Sequence, residues 1–266
     1  MTNSSTGADN AEVDSVAANS TTPVIFFPGT LCDERVFMPL WQAMNSNNSL
    51  LDNKAFVPLQ WAQDLPQMMA LSEDRLGYFP AKVHLVGYSM GGYIAALTAL
   101  AKPNKVASLT LIGSTCKALA DKEVQQRMVL LSAIQKKQYK RMTESRVDFM
   151  LHKANYANKD IRSTVKSMAD DLGAGVLAAQ VNASAKRKDL TAALKQQDFD
   201  TFFVLGEQDN IATPSEVEEI CAASCSPTKN VSKSSQFHFE VIANAGHMLP
   251  LEQPELLANY LHQHLA

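Results

Sequence analysis

The side chains suited to nucleophilic catalysis are spread widely through this sequence of 266 residues. Ser89 lies in the segment KVHLVGYSMGGYIAAL (82–97), with Gly87 two positions before it and Gly91 two positions after it. A strand pattern precedes the serine and a helix pattern follows it, which is the setting of a nucleophile elbow. In such an elbow the glycines leave room for a tight turn, and the hydroxyl projects above the sheet. We therefore predict that Ser89 is a nucleophile rather than part of an ordinary glycine-rich turn.

A serine hydroxyl is a weak nucleophile and needs a base within hydrogen-bond reach. Of the six histidines, His247 follows the last strand pattern in a loop, NAGHMLP, where parallel sheets gather functional groups. The base in turn needs a carboxylate that accepts its other N–H and fixes its tautomer. We predict Asp209, just past the strand pattern of FFVLGEQDN, for this role, and Glu207 is the nearest rival.

Two N–H donors are needed for the oxyanion of a tetrahedral intermediate. The backbone N–H of Met90, directly after the nucleophile, is predicted to be one of them. The loop after the first core strand, PGTLC (28–32), is predicted to supply the other from Thr30, with Leu31 as second choice. A plain Pro-Gly turn at 28–29, without function, is the alternative interpretation of that loop.

Candidate substrate contacts are Leu31, Tyr93 and Met128. Packing explains Tyr93 equally well, and helix packing is the more common role for a methionine such as Met128. Arg127 and Arg141 are candidates to meet a substrate carboxylate, although arginines in such positions are more often solvated.

Six short apolar runs have the composition of strands buried on both faces of a parallel sheet. They cover residues 24–27, 55–58, 83–86, 108–112, 201–205 and 237–242. Helical patterns alternate with them, at 35–44, 65–77, 91–101, 215–223 and 254–264. The alternation predicts an α/β protein with a doubly wound, mostly parallel sheet of about six strands.

The alternation of strands and helices stops between residues 115 and 199, where the pattern is helical throughout. Because this interval is much longer than a simple crossover, we interpret 115–199 as an inserted helical cap. The core would then consist of 22–114 and 200–266. Residues 1–21 are rich in Ser, Thr, Asn and Ala and are predicted to form a disordered leader.

The composition of the chain argues against several classes of binding partner. A net charge of −3 does not favour nucleic acid or an anionic membrane surface, and no apolar stretch is long enough to predict a membrane span. The four cysteines contain no C-x-x-C pair, so no metal site or disulfide framework is predicted. We expect a cytoplasmic protein that acts on a small ester-like molecule without metal or organic cofactor. The oligomeric state is left open.

Four motifs, VIFFPGTLCDERVF, HLVGYSMGGYIAA, LGEQDNIATP and NAGHMLPLEQPE, resemble those of the α/β-hydrolase superfamily in the same order. The resemblance covers nearly everything after residue 22, and the order Ser, Asp, His matches that fold. It implies a six- to eight-stranded sheet and a serine hydrolase acting as a carboxylesterase, lactonase or thioesterase. The same triad also serves carbon–carbon hydrolases, cofactor-free lyases and perhydrolases, and a ligand-binding module with little turnover is a further alternative.

Overall fold

The computed structural model describes residues 22–45, 53–222 and 237–265, so the predicted leader 1–21 lies outside the described residues. Six strands form one sheet in which every neighbouring pair is parallel, in the order β2-β1-β3-β4-β5-β6. The strands are β1 Val24–Phe27, β2 Lys54–Phe56, β3 Val83–Tyr88, β4 Val106–Ile112, β5 Asp200–Gly206 and β6 Phe237–Ile242. The predicted fold class is therefore confirmed, with a sheet that is parallel throughout.

Helices cover both faces of the sheet. They are α1 Met38–Asn45, α2 Leu65–Gly77, α3 Met90–Ala101, α4 Asp121–Gln135, α5 Glu144–Met150, α6 Lys159–Ala185, α7 Thr191–Leu194, α8 Pro214–Ala222, α9 Leu249–Glu252 and α10 Pro254–Leu265. None of the helices in these described ranges is long and apolar enough to cross a membrane.

Strand β1 shows how the sequence builds two cores. Alternate residues of a strand point to opposite faces, and Val24 and Phe26 pack with α1 and α10 on one side. Ile25 and Phe27 pack with α2, α3 and α8 on the other side. Because both faces are covered, the strand is apolar at all four positions, and the burial of all four side chains is complete.

Helices α4 to α7 lie between β4 and β5, in the interval interpreted as a cap. Leu131 of α4 and Leu177 and Val181 of α6 form a small apolar cluster with Leu31, from the loop after β1. Helix α6 is interrupted at Gly173, which has a φ of 72°. Other side chains of the interval join the core beneath α1 and α10, namely Val147, Met150, Leu151, Ile161, Val165 and Met168. The division into core and cap stays a prediction.

Candidate active site

Ser89 occupies the turn between β3 and α3. Its backbone has φ 52° and ψ −119°, a conformation that costs a non-glycine residue free energy and is characteristic of functional turns. The backbone N–H of Ser89 donates to the carbonyl of Ile112 at 2.8 Å, which ties the turn to β4. Gly91 permits the turn, because a Cβ added there would lie 2.3 Å from the carbonyl oxygen of Phe27. These contacts explain why the glycine follows two positions after the serine.

His247 and Asp209 meet Ser89 at the carboxyl end of the sheet. The Nε2 atom of His247 lies 3.0 Å from Ser89 Oγ. Its Nδ1 atom lies 2.9 Å from Asp209 Oδ2 and 3.0 Å from Asp209 Oδ1. Both residues are buried, with 3% of the surface of each exposed. Three side chains that are up to 158 positions apart in the chain thus form one continuous hydrogen-bonded line.

Asp209 is fixed independently of the histidine. Its Oδ1 atom accepts the backbone N–H groups of Ile211 and Ala212 at 2.8 and 2.9 Å. The rival carboxylate, Glu207, is exposed and accepts the backbone N–H of Asn244 at 3.1 Å, and no hydrogen bond joins it to the histidine ring among the described residues. The structure therefore brings Asp209, and not Glu207, to His247.

The loop after β1 carries the two candidates for the first oxyanion donor. The N–H of Leu31 donates to Gln180 Oε1 at 2.8 Å, so this donor is already occupied. Within the described ranges, no hydrogen bond involves the N–H of Thr30 or that of Met90. Met90 begins α3, where the first N–H groups of a helix have no partner within the helix. This difference favours Thr30 over Leu31 as the second donor beside Met90.

Glu252 fastens the loop that carries His247 and was missed in the sequence. Its Oε1 atom accepts the N–H of Gly246 at 2.8 Å, and its Oε2 atom accepts the N–H of His152 at 2.7 Å and Asn155 Nδ2 at 2.8 Å. Burial raises the pKa of the Glu252 carboxyl, and these three donors oppose the shift. The carboxylate therefore joins the histidine loop to the segment after α5.

The main chain makes a second connection at the same place. The carbonyl of Met150, the last residue of α5, accepts the N–H of His247 at 2.8 Å and that of Met248 at 3.2 Å. The motif around His247 predicts a loop but not what holds that loop in place. The groups that hold it, on Met150 and His152, lie about a hundred positions earlier in the chain.

Gly113 lies against the side chains of His247 and Asp209, and the sequence analysis did not predict it as a site residue. It follows β4 with a φ of +56°, a conformation that favours glycine. A Cβ at this position would lie 3.1 Å from Asp209 Oδ2 and 3.2 Å from His247 Cε1. A glycine directly after a buried strand was the available signal, since such strand ends carry site residues in parallel sheets.

The predicted substrate contacts have different surroundings. Leu31 is buried against Leu131 and Leu177. Tyr93 is 3% exposed, and its hydroxyl accepts the backbone N–H of Lys188 at 2.9 Å. Met128, on α4, is 55% exposed. Their contact with substrate stays a prediction.

Two buried cysteines, Cys32 and Cys116, are poor nucleophiles. Burial raises the pKa of Cys32 to about 12 and that of Cys116 to about 12. A thiol needs to lose its proton to react, and the raised pKa disfavours that loss at neutral pH. Ser89 has an imidazole at hydrogen-bond distance, and neither cysteine shows such a contact in the described part of the chain.

Comparison with known proteins places this geometry in a family. The model of the alpha/beta hydrolase fold matches residues 62–254. The chain is thus a member of the α/β-hydrolase family, as the sequence motifs predicted. No match is found among curated proteins.

Several solved structures share the fold. A thermophilic esterase from Thermogutta terrifontis is 20% identical, with a TM-score of 0.74 over 92% of this chain and 89% of the other. An esterase from Exiguobacterium antarcticum is 16% identical, with a TM-score of 0.70 over 92% and 91%. The 2-hydroxy-6-oxo-6-phenylhexa-2,4-dienoate hydrolase of Rhodococcus sp. strain RHA1 is 14% identical, with a TM-score of 0.66 over 91% and 90%. At these identities the likeness concerns the fold alone.

Proposed function

We propose that this protein is a serine hydrolase that cleaves the ester-type bond of a small molecule through Ser89, His247 and Asp209. The observation that carries the proposal is the line of hydrogen bonds from Ser89 Oγ to His247 Nε2 at 3.0 Å and from His247 Nδ1 to Asp209 at 2.9 Å. The esterases among the structures of similar fold support the choice of bond.

The chemistry proceeds through an acyl-enzyme. Ser89 Oγ attacks the carbonyl carbon while its proton passes to His247 Nε2, and Asp209 stabilises the imidazolium that forms. The N–H groups of Thr30 and Met90 bind the oxyanion. When the carbonyl reforms, the alcohol or thiol leaves with the proton from His247. A water molecule then repeats the sequence and releases the carboxylic acid.

The helices of 115–199 serve as the cap over this site in our proposal. Leu31, Tyr93 and Met128 are the predicted substrate contacts from the loop, the nucleophile helix and the cap. The cluster of Leu31 with Leu131 and Leu177 supports this arrangement, because it joins the oxyanion loop to α4 and α6 through apolar packing.

The Ser89→Ala variant tests the proposal. With 4-nitrophenyl esters of short acids, we expect kcat to fall by about three orders of magnitude or more, because the nucleophile is removed while the fold is kept. Ser72→Ala is the matched control, since Ser72 lies on α2 and its hydroxyl donates to the carbonyl of Met68 within the same helix. Unchanged hydrolysis by the Ser89→Ala protein would show that the assignment is wrong.

Labelling and product analysis separate the proposal from its alternatives. A fluorophosphonate should modify Ser89 alone, as read by a peptide map. A binding module with little turnover would leave Ser89 unmodified. Products from a panel of esters, lactones and thioesters, with vinylogous 1,5-diketones for carbon–carbon cleavage, would distinguish ester hydrolysis from lyase, perhydrolase or carbon–carbon hydrolase activity.

A further inference from the structure

Three arginines of the interval 115–199 form a cluster, which we call the arginine cluster. Arg127 lies on α4, Arg146 on α5 and Arg187 after α6. Burial lowers the pKa of both Arg146 and Arg187, because it removes the charged groups from water. The positive charge of Arg127 lowers the pKa of both further. Arg127 is therefore close enough to repel each of the other two guanidinium groups, although the three come from separate segments.

Arg187 has no counter-ion in the described residues. Its guanidinium carbon lies 5.4 Å from the centre of the Tyr93 ring, and its Nε atom is buried without a hydrogen-bond partner. No described group forms a hydrogen bond or ion pair with its other two nitrogens. A partly buried cation without acceptors is costly, because the lost hydration is not replaced. Stacking on Tyr93 thus holds the group in place and leaves its donors open.

The neighbouring carboxylates do not neutralise the arginine cluster. Glu123 pairs with Arg127 at 2.9 Å, and it is the carboxylate that acts on Arg146 and Arg187 as well. Asp189 is exposed and accepts the N–H of Thr191. Three guanidinium groups facing these two carboxylates leave at least one net positive charge.

The arginine cluster is connected to the oxyanion loop through side chains. Arg127 Nη1 donates to Ser184 Oγ at 2.8 Å, and Ser184 Oγ donates to the carbonyl of Gln180 at 2.8 Å. The amide oxygen of Gln180 accepts the N–H of Leu31, whereas its Nε2 atom is buried without a partner. A second open donor therefore lies beside the loop that carries Thr30.

On the other side, the arginine cluster reaches the nucleophile helix. Tyr93, beneath Arg187, follows Ser89 by four positions, which is about one turn of α3. Arg187 therefore packs on a side chain of the helix that begins directly after Ser89, about one turn along it.

We propose that the arginine cluster binds an anionic group on the substrate, so that the protein prefers esters or thioesters that carry a carboxylate or a phosphate. Arg187 supplies the main contact, since its terminal nitrogens are open and a guanidinium matches the two oxygens of such an anion. This inference rests on the proposed ester hydrolysis for its chemistry, but the binding of an anion can be measured separately.

Matched substrates test the preference. The acid ester 4-nitrophenyl hydrogen glutarate and the neutral 4-nitrophenyl pentanoate have acyl chains of equal length, so their kcat/KM ratio measures recognition of the carboxylate. The acetyl esters of glycerol phosphate and of glycerol form the corresponding pair for phosphate. We expect wild type to prefer the anionic member of at least one pair, and that pair identifies the source of the anion.

Substitution of Arg187 links the preference to the arginine cluster. Arg187→Gln should lower the anionic-to-neutral ratio roughly tenfold to a hundredfold, the usual effect of losing hydrogen bonds to a charged group. Arg187→Lys keeps the charge but cannot donate two parallel hydrogen bonds to the anion. Its anionic-to-neutral ratio should therefore fall between those of wild type and Arg187→Gln. Arg75→Gln is the control for net charge, because Arg75 lies on α2 and bonds the carbonyl of Phe56. Its ratio should equal that of wild type.

Calorimetric binding of glutarate and of inorganic phosphate distinguishes failure of this inference from failure of the proposed function. Wild type and Ser89→Ala should bind one of these anions, and Arg187→Gln should bind it more weakly, even if no ester is hydrolysed. Hydrolysis without an anionic preference, or a preference that Arg187→Gln leaves intact, would overturn the inference. If neither anion binds and no ester is hydrolysed, both proposals are wrong.

Discussion

Replacing Asp209 with asparagine changes which nitrogen of His247, the proposed base, carries the proton, with little change in side-chain shape. The N–H groups of Ile211 and Ala212 hold Asp209 Oδ1 at 2.8 and 2.9 Å, so they should hold the amide oxygen of an asparagine at the same position. The amide nitrogen then occupies the place of Oδ2, 2.9 Å from His247 Nδ1. Since that nitrogen donates, Nδ1 becomes an acceptor and the proton of the neutral ring moves to Nε2.

The wrong tautomer disables the base. Nε2 lies 3.0 Å from Ser89 Oγ, and a protonated Nε2 cannot accept the proton of the serine. For a Ser-His-Asp site this change lowers kcat by about 10⁴-fold, which corresponds to about 5 kcal/mol of lost transition-state stabilisation. The fold should be kept, because the backbone donors around position 209 retain an acceptor.

The assay compares Asp209→Asn with Glu207→Gln on a 4-nitrophenyl ester, with circular dichroism to verify folding. Glu207→Gln should retain activity within about tenfold, since the Glu207 side chain is exposed and its carboxylate accepts only the N–H of Asn244 among the described groups. A folded Asp209→Asn protein with more than about a tenth of the wild-type kcat would refute the assigned role, because the tautomer argument requires a far larger loss.

Two further substitutions test the supports of the histidine. Glu252→Gln replaces one of two acceptor oxygens with a donor, so the unfolding free energy should fall by about 1–3 kcal/mol at pH 7, and kcat should fall with it. The pKa of Glu252 is raised from 4.5 in the folded protein, so its contribution to stability is largest at low pH and is lost as pH rises through the folded pKa. Urea unfolding at several pH values should show that decline in wild type and its absence in the variant; identical pH slopes would contradict the account. Gly113→Ala should cost about 1–2 kcal/mol in urea unfolding, because φ is +56° there, and it should lower kcat by crowding His247 Cε1. Wild-type stability and kcat in this variant would show that Gly113 does not support the pair.

The sequence predicted most of the sheet because strands buried on both faces are apolar without interruption. The bounds 24–27 and 237–242 agree with β1 and β6, whereas β3 and β4 are each two residues longer than predicted. The interval 115–199 was predicted to be helical throughout, but α4 ends at Gln135, and Lys137 takes a φ of 56° that no helix pattern indicates.

The residues that surround the candidate triad were harder to predict. Ser89 and His247 stand in local motifs, so they can be predicted as candidates from the sequence alone. Glu252 stands in the motif NAGHMLPLEQPE, but its partners His152 and Asn155 lie about a hundred positions away. Nothing in the local sequence indicates such contacts. The same holds for Gln180, which meets the loop after β1 across 149 positions. Pairings of this kind depend on the tertiary fold and not on propensity.

The attachment of residues 150–155 to the histidine loop has a consequence for protein engineering. An exchange of the helical insert with that of another family member, made at the strand ends, would remove the carbonyl of Met150 and the donors of His152 and Asn155. Such a chimera would lose the hydrogen bonds that anchor the loop of His247, together with the proposed cap. Splice points that retain residues 147–155 of the native chain should give active hybrids where exchange of the complete insert fails.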